Sequence, residues 1–288
     1  MKIPALEIET NYDEFIMKSI DYYLDRYLTN YKKIKEEFAE TPVHDFRVSI
    51  RRFSALCFML EEIFHISYLD ELRKSLKQQL RIFSKLRDTQ VQILKLQKMI
   101  FRYPALYTFF VDLRKKEQKL IKKATLYSKQ AVTSDIKGLT EFTKMKLKND
   151  LSTKTILIND LLSPARNAYI IVLELIALAD ANNLLSIHKV RIAYKRFRYI
   201  MEILSDIYNL TPDELKKLKE FQDIMGFLQD NNVITTKLNS FILKQDIIPY
   251  ADYEKALTSF ARSRKTLLNK FFKVSKEFEK NWGYILTH

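Results

Sequence analysis

A short basic stretch occurs twice in this chain and limits the folds that the chain can adopt. Residues 43–53 read VHDFRVSIRRF, and residues 187–197 read IHKVRIAYKRF. The two stretches match at one constant offset; the matched polar residues are His44, Arg47, Arg51 and Arg52 in the first copy, and His188, Arg191, Lys195 and Arg196 in the second. A repeated element of this kind predicts two copies of one structural unit.

At the pitch of an α-helix, about 100° per residue, each copy divides into two faces. Apolar residues at steps of three and four predict a buried seam on each helix: Phe46, Ile50, Phe53, Cys57, Leu60 and Phe64 in the first, and Val190, Tyr194, Phe197, Met201, Leu204 and Tyr208 in the second. A polar row lies beside each seam and consists of His44, Arg47 and Arg51 in the first copy, and of His188, Arg191, Lys195 and Arg198 in the second. Arg52 and Arg196 point to another side of their helices.

The polar rows are unfavourable for an isolated helix. Like charges four residues apart, as at Arg47 and Arg51, weaken a helix by a few tenths of a kcal/mol per pair. Arg191 and Lys195 repeat this arrangement. Because it occurs twice, we expect a polyanion to bind there and to relieve the repulsion. The alternative is two solvent-exposed basic faces that are balanced by acidic residues of other helices.

The composition predicts a helical protein with an acidic partner. The chain has 288 residues, 47% of them hydrophobic, and only three glycines, which argues against a sheet-and-turn architecture. Its formal net charge of +14 predicts binding to a nucleic acid, an anionic membrane or an inorganic polyanion.

Cysteine usage and hydropathy favour a cytoplasmic location. The single cysteine, Cys57, falls on an apolar seam and cannot form a disulfide within the chain, which fits a reducing compartment. Residues 1–9 contain acids and no apolar run, so we expect no signal peptide. The most apolar stretch, residues 168–179, is too short to span a bilayer and contains Glu174. We therefore expect no membrane association.

Prolines and capping hydroxyl groups divide the chain into helices. Three pairs place a hydroxyl residue before a proline, as at helix starts: Thr41-Pro42, Ser163-Pro164 and Thr211-Pro212. Pro104 and Pro249 are expected to start helices without such a cap. The predicted helices cover residues 12–38, 42–64, 68–101 (with Asp88 as a candidate break), 104–131, 141–161, 164–181, 185–208, 212–243 and 249–284.

A second pair of matched stretches supports the duplication. Residues 86–91 read LRDTQV and residues 228–233 read LQDNNV. Asp88 and Asp230 are therefore a matched pair of acids. Either each caps or breaks its helix, or each is a buried acid that positions an arginine of the polar row. The sequence favours a structural role for both.

These elements predict an all-α architecture. Four helices with short connections, occurring twice, predict two up-and-down four-helix bundles, residues 1–132 and 163–288. Residues 133–162 form a connecting segment that contains one helix. If the bundles pack about a pseudo-twofold axis, the two polar rows can face each other across one cleft, although periodicity alone does not establish this.

The pattern His-x-x-Arg-x-x-x-Arg/Lys-Arg, present twice and each time followed by Leu-x-Asp-x-x-Val, resembles the CHAD family. The name stands for conserved histidine α-helical domain, and the resemblance covers almost the whole chain. It implies two four-helix bundles about an approximate twofold axis, a basic central channel, and binding of inorganic polyphosphate, including location on polyphosphate granules. Many relatives also carry a triphosphate tunnel domain, but no strands with alternating acidic and basic residues are evident here. The chain thus resembles a stand-alone member.

The resemblance also implies which residues bind the ligand. Expected polyphosphate-binding residues are His44, Arg47, Arg51, Arg52, His188, Arg191, Lys195 and Arg196, and Arg198 extends the second row. Gln229 departs from the pattern because the first half has Arg87 at that position, so the second half is expected to bind more weakly there or to have only a structural role. Lys77 and Arg81 are candidates for secondary contacts, although an ordinary solvent-exposed face is the favoured interpretation for them.

The residue types suit phosphate chemistry. Arginine stays charged and can donate two hydrogen bonds to one phosphate. A protonated histidine donates from both ring nitrogens, and a phosphate neighbour raises its pKa. We therefore expect binding to strengthen modestly as pH falls through about 7.

The sequence leaves three other functions open. A nucleic-acid-binding protein would use the same charges but should add exposed aromatic residues for base stacking, whereas the aromatics near the rows fall on the apolar seams. An enzyme acting on polyphosphate or nucleotides finds little support, since no catalytic motif, glycine-rich phosphate loop or metal-ligand spacing occurs. A helical scaffold for an acidic protein is the third. We expect no cofactor and no metal site, although Mg²⁺ or Ca²⁺ can accompany bound polyphosphate.

Overall fold

The computed structural model describes residues 12–129, 132–244 and 250–286, and within these ranges the protein is all-α, as predicted. The helices of the first half are α1 (Tyr12–Glu36), α2 (Glu40–Phe64), α3 (Leu69–Gln97) and α4 (Leu106–Lys129). Next come α5 (Val132–Thr153), α6 (Ile158–Ala177), α7 (Leu184–Ile203), α8 (Pro212–Ile242), α9 (Tyr250–Trp282) and a 3₁₀ turn, Gly283–Leu286. The helix start predicted at Pro249 and the signal-peptide interpretation of residues 1–9 lie outside the described residues.

Consecutive helices pack against each other in both halves. In the first half, α1 packs on α2, α2 on α3 and α3 on α4; in the second, α6 packs on α7, α7 on α8 and α8 on α9. The connecting helix α5 packs on α1 and α3, and thus on the first half. Contacts between α2 and α7 and between α3 and α8 join the two halves. The domain limits at residues 132 and 163 stay a prediction.

The apolar seams are buried, as their periodicity predicted, except for their last residues, Phe64 and Tyr208, which are partly buried. The aromatic residues Phe46 and Tyr194 of the two seams are both fully buried. The Phe46 ring meets Phe83 of α3 edge-on, with 5.2 Å between ring centroids, and the Tyr194 ring meets Phe221 of α8 in the same way at 4.9 Å. Such aromatic pairs contribute about 0.5–1.5 kcal/mol beyond the burial of their area. Helices α3 and α8 thus cover the seams of α2 and α7.

The two basic helices cross in antiparallel directions. Arg52 Nε of α2 donates to Glu202 Oε2 of α7 over 2.8 Å, and Arg196 Cζ of α7 lies 4.0 Å from the ring centroid of Phe58 in α2. Residue numbers rise along one helix as they fall along the other. Under the offset of the repeated stretch, Arg52 corresponds to Arg196 and Phe58 to Glu202. Exchanging the halves therefore maps one contact onto the other, which agrees with a pseudo-twofold axis here.

The start of α6 differs from the prediction. Pro164 lies inside this helix, which begins at Ile158, where the Leu157 backbone N–H donates to Asp160 Oδ2 over 2.9 Å. Proline lacks the N–H that would bond the carbonyl of Asp160. The Ser163 hydroxyl donates to that carbonyl over 3.1 Å instead. The hydroxyl–proline pair thus replaces a backbone hydrogen bond and does not start the helix.

The other predicted helix limits are confirmed at α8 and shifted at α2. The capping box predicted at Thr211 is present, because Thr211 Oγ1 accepts from the Glu214 backbone N–H over 3.3 Å and Thr211 N–H donates to Glu214 Oε2 over 2.8 Å. At α2, however, helical structure begins at Glu40, and Pro42 lies within the first turn, where a missing N–H removes no helical hydrogen bond. Helix α3 continues through Asp88 without a break.

Candidate functional site

Four cations from the two polar rows converge where α2 and α7 meet: Arg47, Arg51, Arg191 and Lys195, called here the central cation cluster. Burial, reinforced by the charges of Arg51, Arg191 and Arg47, lowers the pKa of Lys195 to about 6. Burial and then Arg51 lower the pKa of Arg191. Because Arg51 of the first half lowers the pKa of both Arg191 and Lys195 in the second half, the two rows face each other.

The cluster has few neutralising contacts. Arg51, Arg191 and Lys195 form no hydrogen bond or ion pair with any residue that the structure describes. Arg47 is 7% exposed, and its Nη2 donates to Ser84 Oγ over 3.2 Å. The Nε atoms of Arg47 and Arg191 are buried without a partner. A buried donor left unpartnered costs roughly 1–3 kcal/mol, so an anion with several acceptor oxygens would relieve both repulsion and desolvation.

Asp88 and Asp230 supply the carboxylates that act on the cluster. The Asp88 charge opposes the lowering of the pKa of Arg47, and the Asp230 charge does so for Arg191. Burial raises the pKa of Asp230. Both acids lie well inside continuous helices, so the interpretation of Asp88 and Asp230 as helix caps or breaks is wrong. They reduce the positive potential without forming an ion pair to the cluster within the described ranges.

Two lysines beside the cluster were missed in the sequence. Lys95 and Lys237 lie on α3 and α8, and burial lowers the pKa of each. The negative charge of Asp230, in the second half, opposes the lowering of the pKa of Lys95, in the first half. The negative charge of Asp88, in the first half, opposes the lowering of the pKa of Lys237, in the second half. Lys237 Nζ also donates to Gln92 Oε1 over 3.0 Å. Extending the second matched stretch to LRDTQVQILK and LQDNNVITTK would have found both, since each lysine follows its aspartate at the same spacing.

Arg52 and Arg198 have a different environment from the cluster. Both bind Glu202: Arg52 through Nε at 2.8 Å, and Arg198 through Nε at 2.8 Å and Nη2 at 2.5 Å. Arg198 is 7% exposed. The binding role predicted for these two arginines stays a prediction, but Arg52 joins α2 to α7 through Glu202, and Arg198 binds the same carboxylate from within α7.

Arg196, Lys77 and Arg81 also lie apart from the cluster. The Arg196 guanidinium covers the Phe58 ring, and its nearest charges are Glu62, Arg73 and Glu61. Lys77 and Arg81 are exposed on α3, and no described contact links them to the cluster. Their binding roles are untested, and their positions agree with the solvent-exposed face that the sequence favoured for Lys77 and Arg81.

The two histidines lie at the outer ends of the rows. His44 stands at the exposed edge, where partial burial and the Arg87 charge lower its pKa. His188 Nδ1 lies 3.0 Å from Gln229 Oε1, and burial, with Arg191 and Lys195, lowers the pKa of His188 despite the Gln229 hydrogen bond. Both rings are therefore neutral at pH 7 in the free protein, so the proton uptake that we expected near pH 7 requires a bound anion.

In the ranges 12–129, 132–244 and 250–286, no helix combines the length and the apolar character needed to cross a membrane. In those ranges, no group of three or more His, Cys, Asp or Glu side chains could hold a metal ion.

The fold and the site define a helical protein whose two halves join around a partly buried cluster of basic side chains. The sequence matches the CHAD domain family over residues 18–239, and the chain belongs to that family. The crystal structure of the CHAD domain from the plant Ricinus communis is similar, with a TM-score of 0.69 over 94% of this chain and 90% of that chain, at 17% sequence identity. This similarity establishes the fold. No curated protein matches the chain.

Proposed function

We propose that this protein binds inorganic polyphosphate at the central cation cluster, with His44 and His188 at the ends of the site. The observation that carries the proposal is the convergence of four basic side chains from both halves, three of which have no partner in the described residues. A chain of phosphates places several acceptor oxygens and negative charges along one line, which suits such a cluster. Arg52 and Arg196 hold α2 against α7 beside the site, and Arg198 supports the Glu202 carboxylate that Arg52 binds.

Polyphosphate is favoured over a nucleic acid because the site lacks stacking surfaces. The exposed large aromatic residues within the described ranges are Phe101, Tyr107, Phe142 and Phe227, and none of them lies on α2 or α7. Sequence-tolerant binding of single strands uses such aromatics beside the charges. In a competition assay, long polyphosphate should displace single-stranded DNA at equal phosphate concentration; displacement in the opposite direction would favour a nucleic acid as the ligand.

The site supports binding without turnover. Its groups are basic side chains, two histidines and two aspartates, and among the described residues none of these is a nucleophile hydrogen-bonded to a base. We therefore expect no release of orthophosphate from polyphosphate with or without Mg²⁺, and steady release that is lost in Arg51→Gln would show an enzyme instead. Mg²⁺ or Ca²⁺ can enter with the ligand as its counterion.

The salt dependence of binding tests the position of the site. Arg51→Gln removes one unpartnered cation, so it should weaken binding of long polyphosphate and lower the slope of log affinity against log salt by roughly 0.7–0.9. Lys189→Gln is the matched control, because Lys189 is an exposed lysine on α7. An equal effect of both substitutions would mean that polyphosphate binds to the general positive surface and not to the cluster.

A further inference from the structure

Lys237 of α8 connects the surroundings of the central cation cluster with helix α4. Asp88, whose charge acts on Arg47 of the cluster, also acts on Lys237. Burial, and then the charge of Lys116 on α4, lower the pKa of Lys237. Lys237 Nζ donates to Gln92 Oε1 over 3.0 Å, which holds it where α3 meets α8. Lys237 therefore has the cluster on one side and a basic residue of α4 on the other.

The packing of α4 against the second half explains why Lys116 lies near Lys237. The rings of Phe109 in α4 and Phe241 in α8 have their centroids 5.1 Å apart. Lys116 lies seven residues after Phe109, and Lys237 lies four residues before Phe241. At helical pitch each lysine thus shares a face with the phenylalanine of its own helix. Because the two rings meet, the two faces that carry the lysines meet as well.

Lys116 is the first of three exposed lysines on one face of α4: Lys116, Lys119 and Lys123, called here the α4 lysine row. Lys119 and Lys123 are like charges four residues apart, an arrangement that weakens a helix by a few tenths of a kcal/mol. Residues 118–129 contain no acid, and none of the three lysines forms a hydrogen bond or an ion pair with a residue that the structure describes. The α4 lysine row thus shares with the central cluster a set of basic residues at helical spacing without acidic partners.

The matched lysine of the first half has different neighbours. Lys95 of α3 corresponds to Lys237 in the repeat. Its Nζ lies 5.0 Å from the ring centroid of Phe260 in α9, a residue that is almost fully buried. The charge that acts on Lys95 is that of an acid, Asp230. The line of basic residues that passes from the site through Lys237 to α4 therefore has no counterpart at Lys95 among the described contacts.

We infer that a long polyphosphate chain leaves the central cation cluster past Lys237 and continues along the α4 lysine row, an inference that rests on the proposed function. The cluster offers four basic side chains, so a chain of many phosphates must extend beyond it. The part outside the cluster is still negatively charged and is attracted to the nearest unpaired cations. Asp88 is an acid on this path, but its charge is opposed by those of Arg47 and Lys237. The row spans about 10 Å along α4, enough for several phosphates to contact it.

Two triple variants with the same loss of charge test this inference. The test variant replaces the α4 lysine row: Lys116→Gln/Lys119→Gln/Lys123→Gln. The control variant replaces three exposed lysines of α9 at the same spacing: Lys273→Gln/Lys276→Gln/Lys280→Gln. This part of α9 packs against α6, where the Glu279 carbonyl accepts from the Tyr169 hydroxyl, and it lies about five turns beyond Phe260. Glutamine has nearly the same helix propensity as lysine, so both variants should fold; circular dichroism and thermal unfolding check this.

The affinities for long polyphosphate and for tripolyphosphate are measured across a salt series. The test variant should bind long polyphosphate at least about tenfold more weakly at low salt, and the slope of log affinity against log salt should fall by roughly 2–3. Tripolyphosphate is short enough to be held by the cluster alone, so its affinity should stay within about twofold. The control variant should leave both affinities within about twofold of the unmodified protein.

An equal loss of long-chain affinity in both triple variants would show that total charge decides binding, and it would overturn the inference. An equal loss for tripolyphosphate and long polyphosphate in the test variant would do the same, because the chain beyond the cluster would then make no difference. Arg51→Gln separates the inference from the proposed function. If Arg51→Gln weakens long-chain binding and the test variant does not, the proposed function stands and the path along α4 is refuted. If the test variant weakens it and Arg51→Gln does not, the chain binds α4 without the cluster and both are refuted.

Discussion

Replacing Lys195 by methionine should stabilise the free protein, and the gain should depend on pH. Lys195 lies beside Arg51, Arg191 and Arg47, and burial, reinforced by these charges, lowers its pKa from 10.5 to about 6. The folded state therefore binds this proton more weakly than the unfolded chain. The resulting loss of stability is complete below about pH 6 and disappears as pH rises towards 10.5. Methionine fills similar space without a charge.

The magnitude follows from the same shift. Between pH 7 and pH 9 the folded side chain is neutral and the unfolded lysine is protonated. Each pH unit then raises the free energy of unfolding of the unmodified protein, relative to Lys195→Met, by at most about 1.4 kcal/mol. The upper limit over this interval is about 3 kcal/mol. Because Lys195 is only partly buried, solvent screening reduces the effect, and we expect about 1–2 kcal/mol.

Urea unfolding followed by circular dichroism measures this difference at low salt, where charge interactions are not screened by the denaturant. The quantity compared is the stability gain of Lys195→Met at pH 7 minus its gain at pH 9, so that changes in packing cancel. Lys189→Met, an exposed position on the same helix, should give a difference near zero. A gain for Lys195→Met that is equal at both pH values would refute the reasoning, because the lysine would then not be repelled by the cluster.

Glu202→Gln should lower the free energy of unfolding by about 3 kcal/mol, since it leaves Arg52 and Arg198 with a neutral partner beside the α2–α7 contact. Thermal and urea unfolding measure this loss. A loss below about 1 kcal/mol would show that the two ion pairs are dispensable. The double variant His44→Ala/His188→Ala should lose part of the pH dependence of polyphosphate affinity, because the pKa of each free ring is lowered and a bound phosphate raises it. Titration between pH 5 and 8 checks this, and an unaltered profile would assign the dependence to Lys195 alone.

The features that repeat at helical spacing could be predicted from the sequence. Phe46 and Tyr194 are buried and Arg47 and Arg191 lie beside them because a helix fixes which residues share a face. The same spacing could not reveal that Glu202 binds two arginines. That contact depends on where α2 crosses α7, and the crossing point is set by packing between helices rather than by periodicity along one of them.

Local patterns were also insufficient where tertiary contacts decide the outcome. Ser163-Pro164 has the composition of a helix start, yet the serine hydroxyl satisfies the carbonyl that the proline leaves free, and α6 continues through it. Asp88 looked like a helix break because aspartate often bonds its own backbone. In the folded protein its charge acts on Arg47 and Lys237 instead, an arrangement that exists only after α3 and α8 meet.

The position of the site follows from which cations lack partners rather than from the net charge. A formal charge of +14 predicts an acidic ligand but gives no location. Arg52, Arg87 and Arg198 are each bound to a carboxylate, whereas Arg51 and Lys195 are left among like charges at the helix crossing. Apolar residues there would stabilise the fold, since a buried ionic group is often replaced by hydrophobic residues without loss. A cluster that weakens the free protein, and that is built from a row present in both halves, supports the proposal that a bound polyanion supplies the missing negative charge.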